Sequence, residues 1–152
     1  MSARPIIVVA GPTASGKSAL ALALAEHLDG DVINADSMQV YEGLRILTAR
    51  PSAQDEARVP HRLYGHVDPA ERYSAGRWRE AALACIHEAH AAGRRAIVTG
   101  GTGFYIEALT NGLSPIPDLP PAALAEAEAE AERLGLPAFA AALAEHDPEA
   151  AA

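Results

Sequence analysis

An α/β fold, with a parallel sheet flanked by helices, is predicted for this 152-residue chain by three features. The turn after the first apolar run, Gly11-Pro-Thr-Ala-Ser-Gly-Lys-Ser18, fits G-x-x-x-x-G-K-[ST], a phosphate-binding loop. It stands between a strand-like run and a Leu/Ala-rich helical stretch, the context that motif needs. Two more short apolar runs follow, each separated from the last by helical or polar sequence.

The elements follow in order. Residues 5–10, with Ile6-Ile-Val-Val-Ala10, form the first strand, and residues 17–28 the first helix, ended by Asp29-Gly30. Asp31-Val-Ile-Asn34 reads as a short buried strand. Ala35-Asp-Ser-Met-Gln39 lies just past its carboxyl end, where ligands sit in open α/β sheets. Asp36 therefore comes near the phosphate loop if the second strand lies beside the first. Residues 41–73, broken by Pro51, Pro60 and Pro69, read as an irregular functional or flexible loop. Ser74 is a candidate N-cap for a helix over 75–92. On it Trp78, Ala82, Cys85, Ile86 and Ala89 share one face and read as core, while His27, His87 and His90 read as helix-surface residues. Ala96-Ile-Val-Thr99 is a third strand, and Gly100-Gly-Thr-Gly103 turns into a helix over 104–109. The Pro-rich stretch 114–121 is a stiff connector to helices at 122–134 and 138–145.

The loop's chemistry is local. Gly11 and Gly16 let backbone wrap a ligand, successive N–H groups converge, and the helix presents its positive end. The whole run lines the anion: Gly11, Pro12, Thr13, Ala14, Ser15, Gly16, Lys17 and Ser18. Lys17 adds a point charge and Ser18 a ligand for Mg²⁺. What carries the phosphate stays open at this point, ATP being the commonest answer.

Composition narrows the class. One cysteine, Cys85, rules out an internal disulfide framework and suits a reducing compartment, so a cytoplasmic protein is expected. No apolar run reaches the ~18 residues of a membrane span. The net charge of −8 argues against a generic nucleic-acid binder. Its distribution does not: residues 118–152 hold eight acidic residues against Arg133 alone, while residues 45–79 hold seven arginines against four acids. No Cys/His cluster has metal-ligand spacing.

Four motifs in order resemble one family: the loop 11–18, Asn34-Ala-Asp-Ser-Met-Gln-Val-Tyr41, Pro60-His-Arg-Leu63 and Gly100-Gly-Thr-Gly-Phe-Tyr105. Together they are similar to the tRNA dimethylallyltransferases, or tRNA isopentenyltransferases, of the MiaA type. The resemblance runs from about residue 5 to the end. It implies a P-loop NTPase-like fold and transfer of a dimethylallyl group from dimethylallyl diphosphate to N6 of adenosine 37, in the anticodon arm of tRNA. It implies Mg²⁺ without ATP hydrolysis, in a monomer. Residue by residue, it implies Asp36 as general base, Thr13 at the bridging oxygen of the leaving diphosphate, and Lys17 and Ser18 at phosphates and metal. Asp36, Ser37, Met38 and Gln39 match the adenosine-recognition segment, and Thr102 matches a tRNA contact. Residues 1–117 then form a P-loop α/β core, incomplete, and residues 118–152 the start of a helical, acidic tRNA-binding insertion. Family members run well beyond this length, and a catalytic arginine lies in that further stretch. Arg45, Leu47 and Arg50 replace the family's usual Asp, Gly and Lys, and Tyr64-Gly-His66 is unusual.

The chemistry suits these residues. An allylic diphosphate ionises readily, so a cradle of N–H groups, Lys17 and Mg²⁺ need only stabilise the departing anion. The adenine amino group is a poor nucleophile, and a carboxylate accepting its proton raises its reactivity. The base must leave its stack to get there, with Gln39 reading its edge. Three other readings stand beside this one. Asp36 could end a Walker-B-like strand of an ATPase or a small P-loop kinase. The chain could be a non-catalytic diphosphate-binding stub. It could also serve free adenylate, as cytokinin-forming enzymes do.

Overall fold

Strands β1 (Ile7–Ala10), β2 (Gly30–Asn34), β3 (His61–Arg62) and β4 (Arg95–Gly100) form one parallel sheet in the order β1-β4-β2-β3. The computed structural model describes residues 5–114 and 120–151. It divides into Met1–Leu113, which holds the sheet, and Ser114–Ala152.

A parallel sheet is stable only when both faces are covered, and the sequence supplies the covers alternately. Successive side chains of a strand point to opposite faces. Val9, Val32 and Ile97 therefore meet α1 (Lys17–Leu28) through Ala21, Leu22 and Ala25. Ile33, Ala96 and Val98 meet α3 (Ala75–Ala91) through Trp78, Ala82, Ile86 and Ala89. With so few aromatics, one pair anchors this second layer. Trp78 stacks on Tyr105 of α4 (Gly103–Asn111) with ring centroids 4.5 Å apart, and its indole N–H donates to Asn34 O at 2.8 Å. Cys85 lies at the border of this core, half-buried, and burial raises its thiol pKa. Ser74 caps α3 as expected, its hydroxyl accepting from Arg77 N–H at 3.2 Å.

Two expectations change. The stretch 41–73 is not wholly irregular: it holds α2 (Ala53–Arg58) and the two-residue β3. A capping box starts α2, with Ser52 Oγ accepting from Asp55 N–H and Asp55 Oδ2 from Ser52 N–H. The Ser52-Ala-Gln-Asp55 pattern is its signal in the sequence. The second strand does not lie beside the first either, because β4 separates them. A charge cluster that the sequence does not announce ties this layer. Asp31, fully buried, pairs with Arg94 and Arg62 and so joins β2, β3 and the turn before β4.

The second unit holds α5 (Pro121–Leu134) and α6 (Leu136–His146), meeting at Gly135, whose φ is +75°. Its side chains are mostly exposed, including Leu124 and Leu136. Most of the expected stiff connector, residues 115–119, lies outside the described residues.

Candidate active site

The loop after β1 is held mainly by itself. Ser15 N–H donates to Pro12 O at 3.4 Å, and Lys17 Nζ reaches back to Pro12 O at 2.7 Å. Ala14 (φ +62°) and Gly16 (φ +84°) both turn left-handed, which swings successive peptide N–H groups to one side. The amides of Ala14, Gly16, Lys17 and Ser18 donate to no protein acceptor among the described residues. They belong to a cavity of about 410 Å³ that Thr13–Ala19 line on one side. A cluster of free donors at a helix N-terminus has the geometry and dipole that suit an anion.

Asp36 lines the same cavity, although β4 stands between its strand and β1. Two glycines make this possible. A Cβ on Gly100 would lie 2.1 Å from the carbonyl carbon and oxygen of Ala35, so the two chains touch there backbone to backbone. A Cβ on Gly101 would lie 3.9 Å from Gly11 O and 4.0 Å from Asp36 Oδ2. Gly101 is thus the narrow bridge between the phosphate loop and the carboxylate.

The turn carrying Asp36 is braced on every side. Buried Asn34 accepts Asp36 N–H at 2.9 Å and donates to Asp36 O and Leu63 O, each at 3.0 Å. Thr102 Oγ1 accepts Ser37 N–H at 2.9 Å and donates to Ser37 Oγ at 3.2 Å. Asp36 Oδ1 accepts Met38 N–H at 2.9 Å, whereas Oδ2 has no hydrogen bond among the described residues. One carboxylate oxygen therefore holds the turn and the other is available to a ligand.

The remaining candidates divide. Met38 is exposed beside this turn. Gln39 Nε2 donates to Thr48 O at 2.8 Å and Ala49 O at 3.4 Å, so its amide nitrogen pins the next loop and only its oxygen is left for a base. Thr102 uses its hydroxyl on Ser37, inside the protein. Arg45 clips the loop shut through two bonds to Pro51 O and an ion pair with Glu56 at 2.8 Å. Leu47 and Ile46 stand out at the loop's tip. His61 and Arg62 bind Val59 O and Asp31, a structural pair. His90 is not a plain surface residue: its Nε2 is buried without a partner among the described residues.

The sequence model of one family, described as IPP transferase, matches residues 39–152. The chain belongs to the IPP transferase family. A tRNA dimethylallyltransferase from Rhodospirillum centenum is 60% identical over 149 residues, covering 98% of this chain and 48% of that one. The Azorhizobium caulinodans protein of the same name is 59% identical over 95% of this chain and 46% of its own length. Two solved structures are also similar. The tRNA isopentenylpyrophosphate transferase of Bacillus halodurans superposes with TM-score 0.71 at 36% identity, over 96% of this chain and 48% of that one. A eukaryotic dimethylallyltransferase acting on tRNA superposes with TM-score 0.81 at 34% identity, over 96% of this chain and 36% of its own. The fold is therefore the P-loop NTPase-like one of this family. The chain spans about half the length of the curated relatives it matches.

The segment between motifs is the less legible part of the site. In the sequence Tyr64 is merely unusual, yet it lines both this cavity and a second one beside it. Burial, and then the Asp36 and Glu56 carboxylates, push its phenol well above the ordinary tyrosine range. It stays neutral and can donate a hydrogen bond near Asp36.

Proposed function

We propose that this chain carries the diphosphate-binding and base-activating part of a transferase that moves a dimethylallyl group from dimethylallyl diphosphate to N6 of adenosine 37 in tRNA. One observation carries the reading: the unpaired amides of the loop and the free Oδ2 of Asp36 line one cavity. The names of the relatives supply the substrate class.

In this reading the amides of Ala14, Gly16, Lys17 and Ser18 and the Lys17 ammonium take the diphosphate oxygens. The C1–O bond of the donor breaks with its electron pair going to oxygen, where those donors stabilise it. Thr13 meets the bridging oxygen. The N6–C1 bond forms, and the N6 proton passes to Asp36 Oδ2. Thr102, Asn34 and Gly100 hold that carboxylate in place. Ser37, Met38 and the Gln39 oxygen meet the adenine, and Thr102 acts on RNA through the turn it braces.

Among the described residues no group of three or more His, Cys, Asp or Glu side chains could cage a metal. Mg²⁺ suits such a place nonetheless, since it is usually held by one or two side chains together with substrate phosphates. Ser18 supplies an oxygen donor of the right kind on the cavity wall. Bound there, Mg²⁺ would offset diphosphate charge.

Residues 1–117 serve as the core and 118–152 as the start of an acidic helical RNA-binding insertion. A monomer in the cytoplasm fits this reading. No helix among the described residues is long and apolar enough to cross a membrane. The relatives named above are transferases, not kinases.

The test supplies unmodified tRNA with dimethylallyl diphosphate or with ATP and weighs the digested nucleosides. Prenylated adenosine from the first mixture alone is expected. Asp36→Asn keeps the Oδ1 acceptor for Met38, so it should bind diphosphate within about twofold of wild type while transfer falls roughly 10²–10⁴-fold. If diphosphate binding falls as far as transfer, Asp36 is a metal ligand instead.

A further inference from the structure

A second cavity, about 440 Å³, adjoins the first and shares Ser18, Ala19, Ala49 and Tyr64 with it. Two guanidinium groups line it, and they differ sharply. Arg58 is fully employed: its Nε and Nη2 each donate at 2.7 Å to Glu26, and Asp55 stands at 3.7 Å. Arg50 has no ion pair among the described residues. The single hydrogen bond of its guanidinium among the described residues, Nη1 to Tyr41 O, is long at 3.4 Å, and its Nε is buried with no partner among them.

The fold nevertheless holds this side chain in one place. Its guanidinium lies across Gly65, where a Cβ would come within 1.9 Å of Nη1 and 2.3 Å of Cζ. Gly65 is left-handed, at φ +51°. The backbone on both sides of it is tied to the Asp36 segment, Gly65 N–H to Gln39 O and His66 N–H to Val40 O. Gln39 in turn pins Thr48 and Ala49, just before Arg50. Arg50 is half-buried, and a charge held partly out of water without a counter-ion is costly. Here it is kept in position rather than released to water.

We propose that Arg50 is an anion-binding residue, taking a phosphate oxygen of a substrate that lies across Ser18 and beyond the reach of the loop amides. This rests on the reading of the loop given above. A guanidinium fork suits a phosphate, and Nη2, which is neither buried nor hydrogen-bonded among the described residues, is the nitrogen that the cavity leaves to an anion. The phosphate belongs to the allylic diphosphate or to the RNA backbone, the two phosphate sources of the proposed reaction.

The experiment uses the 152-residue chain, its Arg50→Met variant and its Arg50→Gln variant. Three quantities are read: thermal midpoint, affinity for inorganic diphosphate, and affinity for an unmodified anticodon stem-loop RNA across a salt series. Arg50→Met should melt at or above the wild-type temperature, because a charge without a partner has been removed. One of its affinities should fall roughly ten- to a hundredfold. Loss in the diphosphate arm identifies the donor as the source. Loss in the RNA arm, with a salt slope reduced by about one, identifies an RNA phosphate. If Arg50→Met does not fold, Arg50→Gln is read in its place, since it keeps a donor for Tyr41 O without the charge. Folded variants that bind both probes as wild type does would overturn the proposal. Wild-type chain that binds neither probe sinks the reading of the loop as well. Wild-type binding with indifferent variants sinks this proposal alone.

Discussion

The two walls of the cavity are built by opposite means. The phosphate loop is held by its own residues: the Ser15 N–H and the Lys17 ammonium both donate to Pro12 O, and most of its residues are exposed. The Asp36 turn is held from a distance, by Leu63, Trp78, Gly100 and Thr102, residues brought from three other parts of the chain. An anion needs only a ring of donors, which a few consecutive residues can form. The general base proposed for Asp36 needs one oxygen fixed relative to a reacting atom, and small errors in that position are expensive. The difference suggests a rule for this molecule: damage to the loop alters ligand binding more than stability, and damage to the turn alters both.

The sharpest way to break that contrast is Gly100→Ala. Its Cβ would meet the Ala35 backbone at 2.1 Å, where no flexible side chain can give way. Both β4 and the end of β2 would have to move. Overpacking against backbone should lower stability by about 3 kcal/mol or more, read by urea denaturation, and on the proposed function the folded fraction should also lose transfer through displacement of Asp36. A variant of wild-type stability would show that the two chains are not pressed together here.

Thr102→Val gives a middle-sized effect and bears on what could be read from sequence. The change is nearly isosteric but leaves Ser37 N–H without its acceptor, which should lower stability by about 1–2 kcal/mol. If Thr102 acted only at the RNA surface, denaturation would be unchanged and only tRNA affinity would move. The resemblance singles out Thr102 but not the Ser37 bond, because the partners lie 65 residues apart. The same limit hides Asp31 with Arg94 and Arg62, and the place of β4 between β1 and β2. Strand order is set by crossovers that leave no local mark. By contrast, α1, α3 and the phosphate loop are legible, because a glycine pattern, an N-cap serine and a helical repeat are signals within a few residues. The loop 43–50 is legible only in part. Arg45 looks like a defect against the family pattern, and the fold uses it as a clip on Pro51.

The smallest expected effect on stability comes from Gly16→Ala, the counterpart of Gly100→Ala on the other wall. Gly16 has φ +84°, but a methyl group there would meet nothing within 4 Å, so this glycine answers to torsion and not to space. The left-handed region is mildly unfavourable for alanine, and Ala14 already occupies it at φ +62° two residues earlier. A loss of about 1 kcal/mol is expected, while the new methyl stands on the wall of the cavity proposed to hold diphosphate. Diphosphate affinity, measured by calorimetry, should therefore fall further than denaturation free energy does. Equal losses would mean that the loop is braced by the rest of the fold as tightly as the Asp36 turn, and the contrast between the two walls would disappear.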